Sequence, residues 1–181
     1  MSDTVEAKKT TFREPLIIGV LFVLGFWWLV NTLNTGNPFW FLPFQPSYEP
    51  SRIVVRDYGT AVTLRPGDEQ FTPLADAIDA VLSDFRSRDL VSIGLSDETL
   101  RRYAEEELVI EVYYPEDVEF NTSVRMTGIN QLLFPIDATH AGKNYVFIGT
   151  NGEWRAGALA VADMTPLMDA MVQLGYLEKQ E

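Results

Sequence analysis

The chain contains no cysteine and a single histidine, and these two shortages narrow its chemistry. Without thiols, disulfide bonds, zinc–thiolate sites, iron–sulfur clusters and cysteine nucleophiles are excluded. His140 alone cannot form an H-E-x-x-H motif or a histidine-rich zinc site. The sequence also lacks the glycine-rich nucleotide-binding patterns and the G-x-S-x-G nucleophile elbow. We therefore predict no catalytic residue, no metal site and no cofactor.

Positive charge is scarce as well. The chain has 14 lysine and arginine residues against 26 aspartate and glutamate residues, for a formal net charge of −12. From Arg52 onward there are 11 basic and 22 acidic residues, so that part of the chain carries −11. Such an acidic surface repels phosphate backbones and anionic lipid. We therefore predict that nucleic acid is not a partner.

Charge of either sign is missing from Pro15 to Leu33. About 20 apolar residues in a helix span the roughly 30 Å hydrocarbon core of a bilayer. Trp27 and Trp28 lie near the far end of the run, where indole rings favour the headgroup layer. The run therefore predicts a transmembrane helix. The alternatives are a buried core helix and a cleaved signal peptide, although no A-x-A-like cleavage site follows Leu33.

The basic residues around this run predict its orientation. Lys8, Lys9 and Arg13 precede it, and no lysine or arginine follows until Arg52. Because cytoplasmic flanks are enriched in these residues, we expect a cytoplasmic N-terminus and an extracytoplasmic C-terminal part in a plasma (or cytoplasmic) membrane. The predicted organisation is a cytoplasmic tail (1–14), a transmembrane helix (15–33), a membrane-exit linker (34–51) and one extracytoplasmic α+β domain (52–181).

The linker is unusual because it is rich in proline and aromatic residues, whereas most linkers are polar. Its four prolines favour an extended, stiff path. The predicted membrane or partner contacts are the aromatic residues around the membrane exit: Trp27, Trp28, Phe39, Trp40, Phe41, Phe44 and Tyr48. Three interpretations are open: a belt on membrane lipid headgroups, a strip that docks a membrane-protein partner through residues 15–50, and a segment folded onto its own domain.

Alternating apolar residues predict β-strands after the linker. The β-rich runs are residues 52–57, 60–64, 89–94, 107–114, 117–124, 131–136, 144–148 and 154–161. We expect about six or seven strands in a mostly antiparallel sheet, with hairpin turns at Tyr58-Gly59 and Asn151-Gly152. Pro135 cannot donate a ladder hydrogen bond, so it predicts an edge strand or a bulge. The class is α+β, with helices on one face of the sheet.

Three helices follow from start signals and apolar stripes. Thr72 and Ser96 are predicted N-caps, and the stripe of the first helix runs from Leu74 to Phe85. The pattern T-P-L-x-D-A occurs at 72–77 and again at 165–170. Two ββα units would then flank a central αββ portion, either by duplication or because good helix-start chemistry is used twice.

The candidates for chemistry are acidic residues and the histidine. Glu107 and Glu111 share one strand face, so a carboxylate pair for hydrolysis or a weak Ca²⁺ site is conceivable there. Alternation with apolar residues is, however, typical of a solvated strand face. His140 is expected in a surface loop. Residues 121–123 match the N-glycosylation sequon.

We therefore expect a single-pass membrane protein, not an enzyme, whose acidic extracytoplasmic domain is an interaction module or an accessory subunit of a membrane complex. The alternative is an extracytoplasmic ligand-binding or sensory domain. A carboxylate-dependent hydrolase is a third hypothesis.

Overall fold

The computed structural model describes residues 13–35, 38–39, 49–118, 120 and 126–178. The chain divides into two compact units, Met1–Leu42 and Pro43–Glu181. The boundary falls within the predicted linker. The first unit contributes one described helix, and the second contributes the α+β part of the chain.

Helix α1 (Arg13–Thr35) extends the predicted apolar helix by two residues at each end. Its stretch from Glu14 to Asn34 is long and apolar enough to cross a membrane. The large apolar side chains from Leu16 to Leu33 are exposed. A surface helix of a globular domain carries apolar residues on one face and polar residues on the other. α1 instead presents apolar side chains all round, as membrane spans and signal sequences do.

The described part of the second unit contains seven strands and three helices. In chain order they are β1 (Arg52–Asp57), β2 (Thr60–Leu64), α2 (Phe71–Leu82), β3 (Phe85–Val91), α3 (Asp97–Glu105), β4 (Leu108–Tyr113), β5 (Gln131–Asp137), β6 (Tyr145–Thr150), β7 (Glu153–Val161) and α4 (Thr165–Gln173).

The seven strands form one antiparallel sheet in the order β2-β1-β4-β5-β6-β7-β3. The predicted α+β class is therefore confirmed. Both predicted hairpins are present, and their two-residue turns have positive φ values: 44° and 90° at Tyr58-Gly59, and 50° and 93° at Asn151-Gly152. Such turns match the right-handed twist of the strands that they join.

Both faces of the sheet are covered, so the prediction of helices on one face is wrong. On the front face, α2 and α4 pack against each other and against the larger core. On the back face, α3 places Tyr103 in a smaller cluster, together with Val109, Leu133, Phe147 and Ala158. α3 has little apolar sequence, DETLRRYAE, and its attachment to the back face rests largely on this one aromatic side chain.

One of the two predicted N-caps is correct. Ser96 precedes α3, and its Oγ accepts a hydrogen bond from the Thr99 N–H at 3.2 Å. Thr72 is not a cap, because α2 begins at Phe71 after Gln70. Phe71 is buried in the front core, and its packing brings it into the first turn of the helix. Proline at position 73 is still tolerated there, because first-turn N–H groups have no intrahelical partner.

The region between α2 and α3 also differs from prediction. α2 ends at Leu82, and Phe85 belongs to β3 instead of extending the helical stripe. β3 pairs with β7, Phe85 opposite Val161, so the strand lies earlier than the predicted 89–94. Pairing between distant segments decides this boundary, and local periodicity does not reveal it.

The predicted strand 117–124 is not a strand where it is described. Val118 and Phe120 nevertheless pack against the front core. The rest of the run, including the sequon at 121–123, lies largely outside the described residues.

Candidate functional site

Three of the predicted membrane or partner contacts are described, and all three are exposed. Trp27 and Trp28 lie in the last third of α1, and Phe39 follows the helix. The indole Nε1 of Trp28 donates a hydrogen bond to the Pro38 carbonyl at 3.0 Å. This bond holds the first described residues after α1 close to the helix. Trp40, Phe41, Phe44 and Tyr48 lie outside the described residues.

The acidic candidate Glu111 lies on the back face of β4 and is 5 % exposed. Its Oε1 accepts from Arg56 Nε at 2.6 Å, and its Oε2 accepts from Tyr113 Oη at 2.8 Å and from Arg56 Nη2 at 3.3 Å. The bond to Glu111 raises the pKa of Arg56. Burial, followed by the same carboxylate, raises the pKa of Tyr113 to about 12. The prediction of a solvated face is therefore wrong at this position.

The second acidic candidate, Glu107, has different partners. Its carboxylate accepts from the Thr139 N–H at 2.8 Å and from Thr139 Oγ1 at 2.6 Å, which fixes the loop after β5. Glu107 and Glu111 are therefore each engaged in separate hydrogen-bond networks. Among the residues that the structure describes, no three histidine, cysteine, aspartate or glutamate side chains are grouped to hold a metal ion.

His140 lies in the loop as predicted, but it is half-buried and not a simple surface residue. Its Nδ1 lies 2.5 Å from Tyr103 Oη, and its ring packs edge-on against Phe147 with the centroids 5.2 Å apart. Burial, and then the charge of Lys143, lower the pKa of His140. His140 therefore helps to attach α3 to the back face in its neutral form.

The structure also reveals a feature in the middle of the sheet. β5 and β6 pair from Gln131↔Gly149 to Leu133↔Phe147 and no further. In the same register, the following positions would place Phe134 opposite Val146, Pro135 opposite Tyr145 and Ile136 opposite Asn144. Proline has no N–H to donate. On its other side β5 contains a bulge, since Leu108 pairs with Asp137 but Val109 pairs with Pro135. The predicted bulge is confirmed, and the edge-strand alternative is wrong because β5 is central.

A concavity of about 210 Å³ opens where this ladder stops. We call it the ladder gap. It is lined by Pro135, Ile136, Gly142, Asn144, Tyr145, Asp163, Met164, Thr165 and Met168. Asn144 enters β6 with a positive φ of 56°, and the segment at the start of α4 closes the other side.

The polar groups of the ladder gap are fixed by local hydrogen bonds. Asp163 Oδ1 accepts from Thr165 Oγ1 at 2.6 Å and from the Thr165 N–H at 2.8 Å. These bonds lower the pKa of Asp163, so the carboxylate is ionised at neutral pH. Asn144 Nδ2 donates to the Ala162 carbonyl at 3.2 Å. Asp163 and Thr165 are both exposed, so the gap carries one fixed negative charge on its solvent-facing side, beside methionine, proline and tyrosine side chains.

The sequence did not lead us to predict a site at the ladder gap, although Pro135 indicated a break in the regular strand pairing. The proline predicts interrupted pairing, but the other walls come from the loop before β6 and from the start of α4. No sequence pattern links these three segments. Their meeting is a property of the sheet order.

The chain matches no protein-family model, no curated protein and no solved structure at a significant level.

Proposed function

We propose that α1 anchors this protein in a membrane and that the acidic α+β domain acts outside the cytoplasm as an interaction module or accessory subunit. The observation that carries the proposal is the exposure of the apolar side chains of α1 from Leu16 to Leu33. Leaving apolar surface in water costs about 25 cal/mol per Å². Hydrocarbon removes that cost, and a helix satisfies its own backbone hydrogen bonds there.

The end of α1 supports a headgroup-level exit. Trp27, Trp28 and Phe39 are exposed aromatic residues of the kind that favour the membrane–water interface. An indole N–H in hydrocarbon needs a partner, and Trp28 has one in the Pro38 carbonyl. The distribution of basic residues supports the proposed orientation, since Lys8, Lys9 and Arg13 all precede the apolar stretch.

Topology can be tested with single cysteines, because the chain contains none of its own. In intact cells, a membrane-impermeant maleimide is expected to label a Ser92→Cys variant, since Ser92 is an exposed residue of the domain. A Ser2→Cys variant should be labelled only after permeabilisation. The reverse pattern would contradict the orientation. A shortened, soluble chain that has lost residue 2 would identify a cleaved signal peptide instead of an anchor.

The interaction role requires a separate test. The full chain, purified in mild detergent, is expected to carry a stoichiometric membrane-protein partner. Replacing Trp27, Trp28 and Phe39 together by leucine should reduce that partner. The matched control is Phe22→Leu, which changes an exposed aromatic residue of α1 further from its C-terminal end. A monomer with no stoichiometric partner, in both wild type and control, would contradict the accessory-subunit role.

The ladder gap favours a second candidate function, an extracytoplasmic ligand-binding domain. Ligand sites are concave, and a few polar groups converge in mostly apolar walls. The gap has this composition, with Asp163, Asn144 and Thr165 among Pro135, Met164 and Met168. The residues of these walls indicate which class of ligand should be used to test this function.

A further inference from the structure

We propose that the ladder gap binds the primary ammonium group of a small ligand, with Asp163 as its counter-ion. The inference deepens the second candidate function, ligand binding, and is independent of the anchoring role of α1. It rests on three properties of the gap: its hydrogen-bonding capacity, its charge and its size.

Two side-chain donors of the gap, on Thr165 and Asn144, are engaged in local hydrogen bonds, whereas acceptors are available. Thr165 uses both its hydroxyl and its N–H on Asp163 Oδ1, and Asn144 Nδ2 donates to Ala162. Each carboxylate oxygen has two lone pairs, so Asp163 Oδ2 retains acceptor capacity. Asn144 Oδ1 is the other acceptor left by this arrangement. A ligand that donates hydrogen bonds fits these two acceptors, and an ammonium group supplies three donors.

The charge at the gap favours a cation. Among the described residues that line the gap, Asp163 is the one acidic residue, and none is a lysine, an arginine or a histidine. Lys143 is next to Asn144 in the sequence but does not line the gap. The surrounding domain carries −11, and such a field raises the local concentration of cations.

The volume limits the ligand. The gap, at about 210 Å³, is larger than an apolar cavity of roughly 150 Å³ that admits benzene. That is enough for an ammonium head with a short alkyl chain. The Met164 and Met168 side chains and the ring of Pro135 provide apolar contacts for the chain.

Methionine methyl groups offer a direct readout in the complete protein. The full chain, labelled with ¹³C at the methionine methyls and reconstituted in nanodiscs, is titrated with n-butylammonium at constant ionic strength. All four methionines contact the front core, but Met164 and Met168 also line the gap, so Met126 and Met171 serve as internal references. We expect saturable shifts at Met164 and Met168 and small shifts at the other two.

The decisive variant is Asp163→Asn, which keeps an oxygen acceptor for Thr165 but removes the charge. Because Asp163 is exposed, water screens this ion pair, and loss of the charge should weaken binding about two- to fivefold. Asp169→Asn, an exposed carboxylate on α4, removes the same charge away from the gap lining and should leave the affinity unchanged. Equal affinities in wild type and Asp163→Asn would overturn the ammonium assignment.

Titrations with two analogues of similar length, 1-butanol and butanoate, distinguish specific binding of an ammonium group from ligand binding in general. Saturable shifts with either analogue, and none with butylammonium, would overturn the ammonium class while supporting a ligand site at the gap. No saturable shift at Met164 and Met168 with any of the three probes would contradict both the inference and the ligand-binding function.

Discussion

The two faces of the sheet are stabilised differently, although the same strands supply both. The front face packs apolar side chains from all the central strands against α2 and α4. The back face has a cluster of five buried residues, Tyr103 and four others, and beside it the Arg56–Glu111–Tyr113 network. Neighbouring residues in β4 illustrate the contrast, since Ile110 is fully buried among hydrocarbon and Glu111 is almost fully buried among polar groups.

This difference shows that burial and polarity are separate properties of a strand face. Front-face burial follows from the hydrophobic effect, which is non-directional and tolerates many apolar combinations. Back-face burial depends on specific partners, because a buried polar group without a hydrogen bond is destabilising. The back face should therefore be more sensitive to single polar atoms and to pH, and the front face more sensitive to volume.

The largest effect is expected from two adjacent leucines of β5 that face opposite sides. Leu132 belongs to the front core and Leu133 to the back cluster, and both are buried. Leucine-to-alanine changes in cores cost about 2–5 kcal/mol, depending on how far the site can collapse. We expect Leu132→Ala at the upper end and Leu133→Ala at the lower end, because the small helix α3 can shift inward. Urea unfolding of both variants measures the difference, and a larger loss for Leu133→Ala would reverse the comparison.

Gly149 tests how tightly the back face is packed. A Cβ at this position would lie 2.3 Å from Gln131 Nε2 and 2.7 Å from the Glu153 carbonyl oxygen. The first atom belongs to a side chain and can move, but the second is backbone. Gly149→Ala should therefore cost about 2–3 kcal/mol, the range of overpacking effects. Gly94→Ala, where a Cβ meets nothing within 4 Å, is the control. Equal melting temperatures of the two variants would show that the β6–β7 hairpin can shift to accommodate the added Cβ without loss of stability.

Glu111→Gln tests the charge in the buried network. The substitution keeps the shape but leaves Arg56, which is 31 % exposed at its side chain, without its counter-ion. Because Arg56 is partly solvated, we expect a loss of about 1–2 kcal/mol, less than for a fully buried pair. Glu98→Gln removes one partner of the exposed Arg101 and should change stability little. If both variants unfold like wild type, the network contributes no more than a surface ion pair.

His140 should give the smallest effect, and it should appear as a pH dependence. Burial lowers the pKa of the folded-state imidazole below that of the unfolded chain, about 6.5. The contribution of the neutral ring is therefore complete above pH about 6.5 and is lost as the pH falls from there through the folded pKa. Below both the folded and the unfolded pKa, the contribution of His140 to the free energy of unfolding no longer changes with pH.

The measurement is the free energy of unfolding between pH 7 and pH 5 in wild type and in His140→Asn. Asparagine keeps an acceptor for Tyr103 Oη but does not titrate. We expect a steeper loss of stability on acidification in wild type than in the variant. Parallel curves would mean that the imidazole titrates equally in both states and that the back face carries no pH sensitivity at this position.

The parts of the fold that the sequence predicts well are those with local causes. Tyr58-Gly59 and Asn151-Gly152 adopt hairpin turns because residues within one turn decide the backbone angles. Ser96 caps α3 because the acceptor and the donor are three residues apart. Helix and strand boundaries fail where a distant partner decides them, as at Phe85, which pairs with β7.

The candidate sites likewise divide into features with local causes and features that depend on distant residues. The apolar helix and its terminal tryptophans follow from composition, and membrane contact through Trp27, Trp28 and Phe39 stays a prediction. Pro135 predicts a bulge, and the bulge is present. The concavity beside it does not follow from Pro135 alone, because Asn144 and Asp163 reach it through the sheet order and the position of α4.

The sequence alone determined the uninterrupted apolar helix, the two hairpins and the apolar character of the front face. These features depend on residues within a few positions of one another, where period and turn chemistry act. Only the tertiary structure decided that Glu111 is buried, that His140 meets Tyr103 and that a gap opens between β5 and β6. Each of these needs groups far apart in the chain to come together, and a one-dimensional pattern does not encode which distant residue will be the partner.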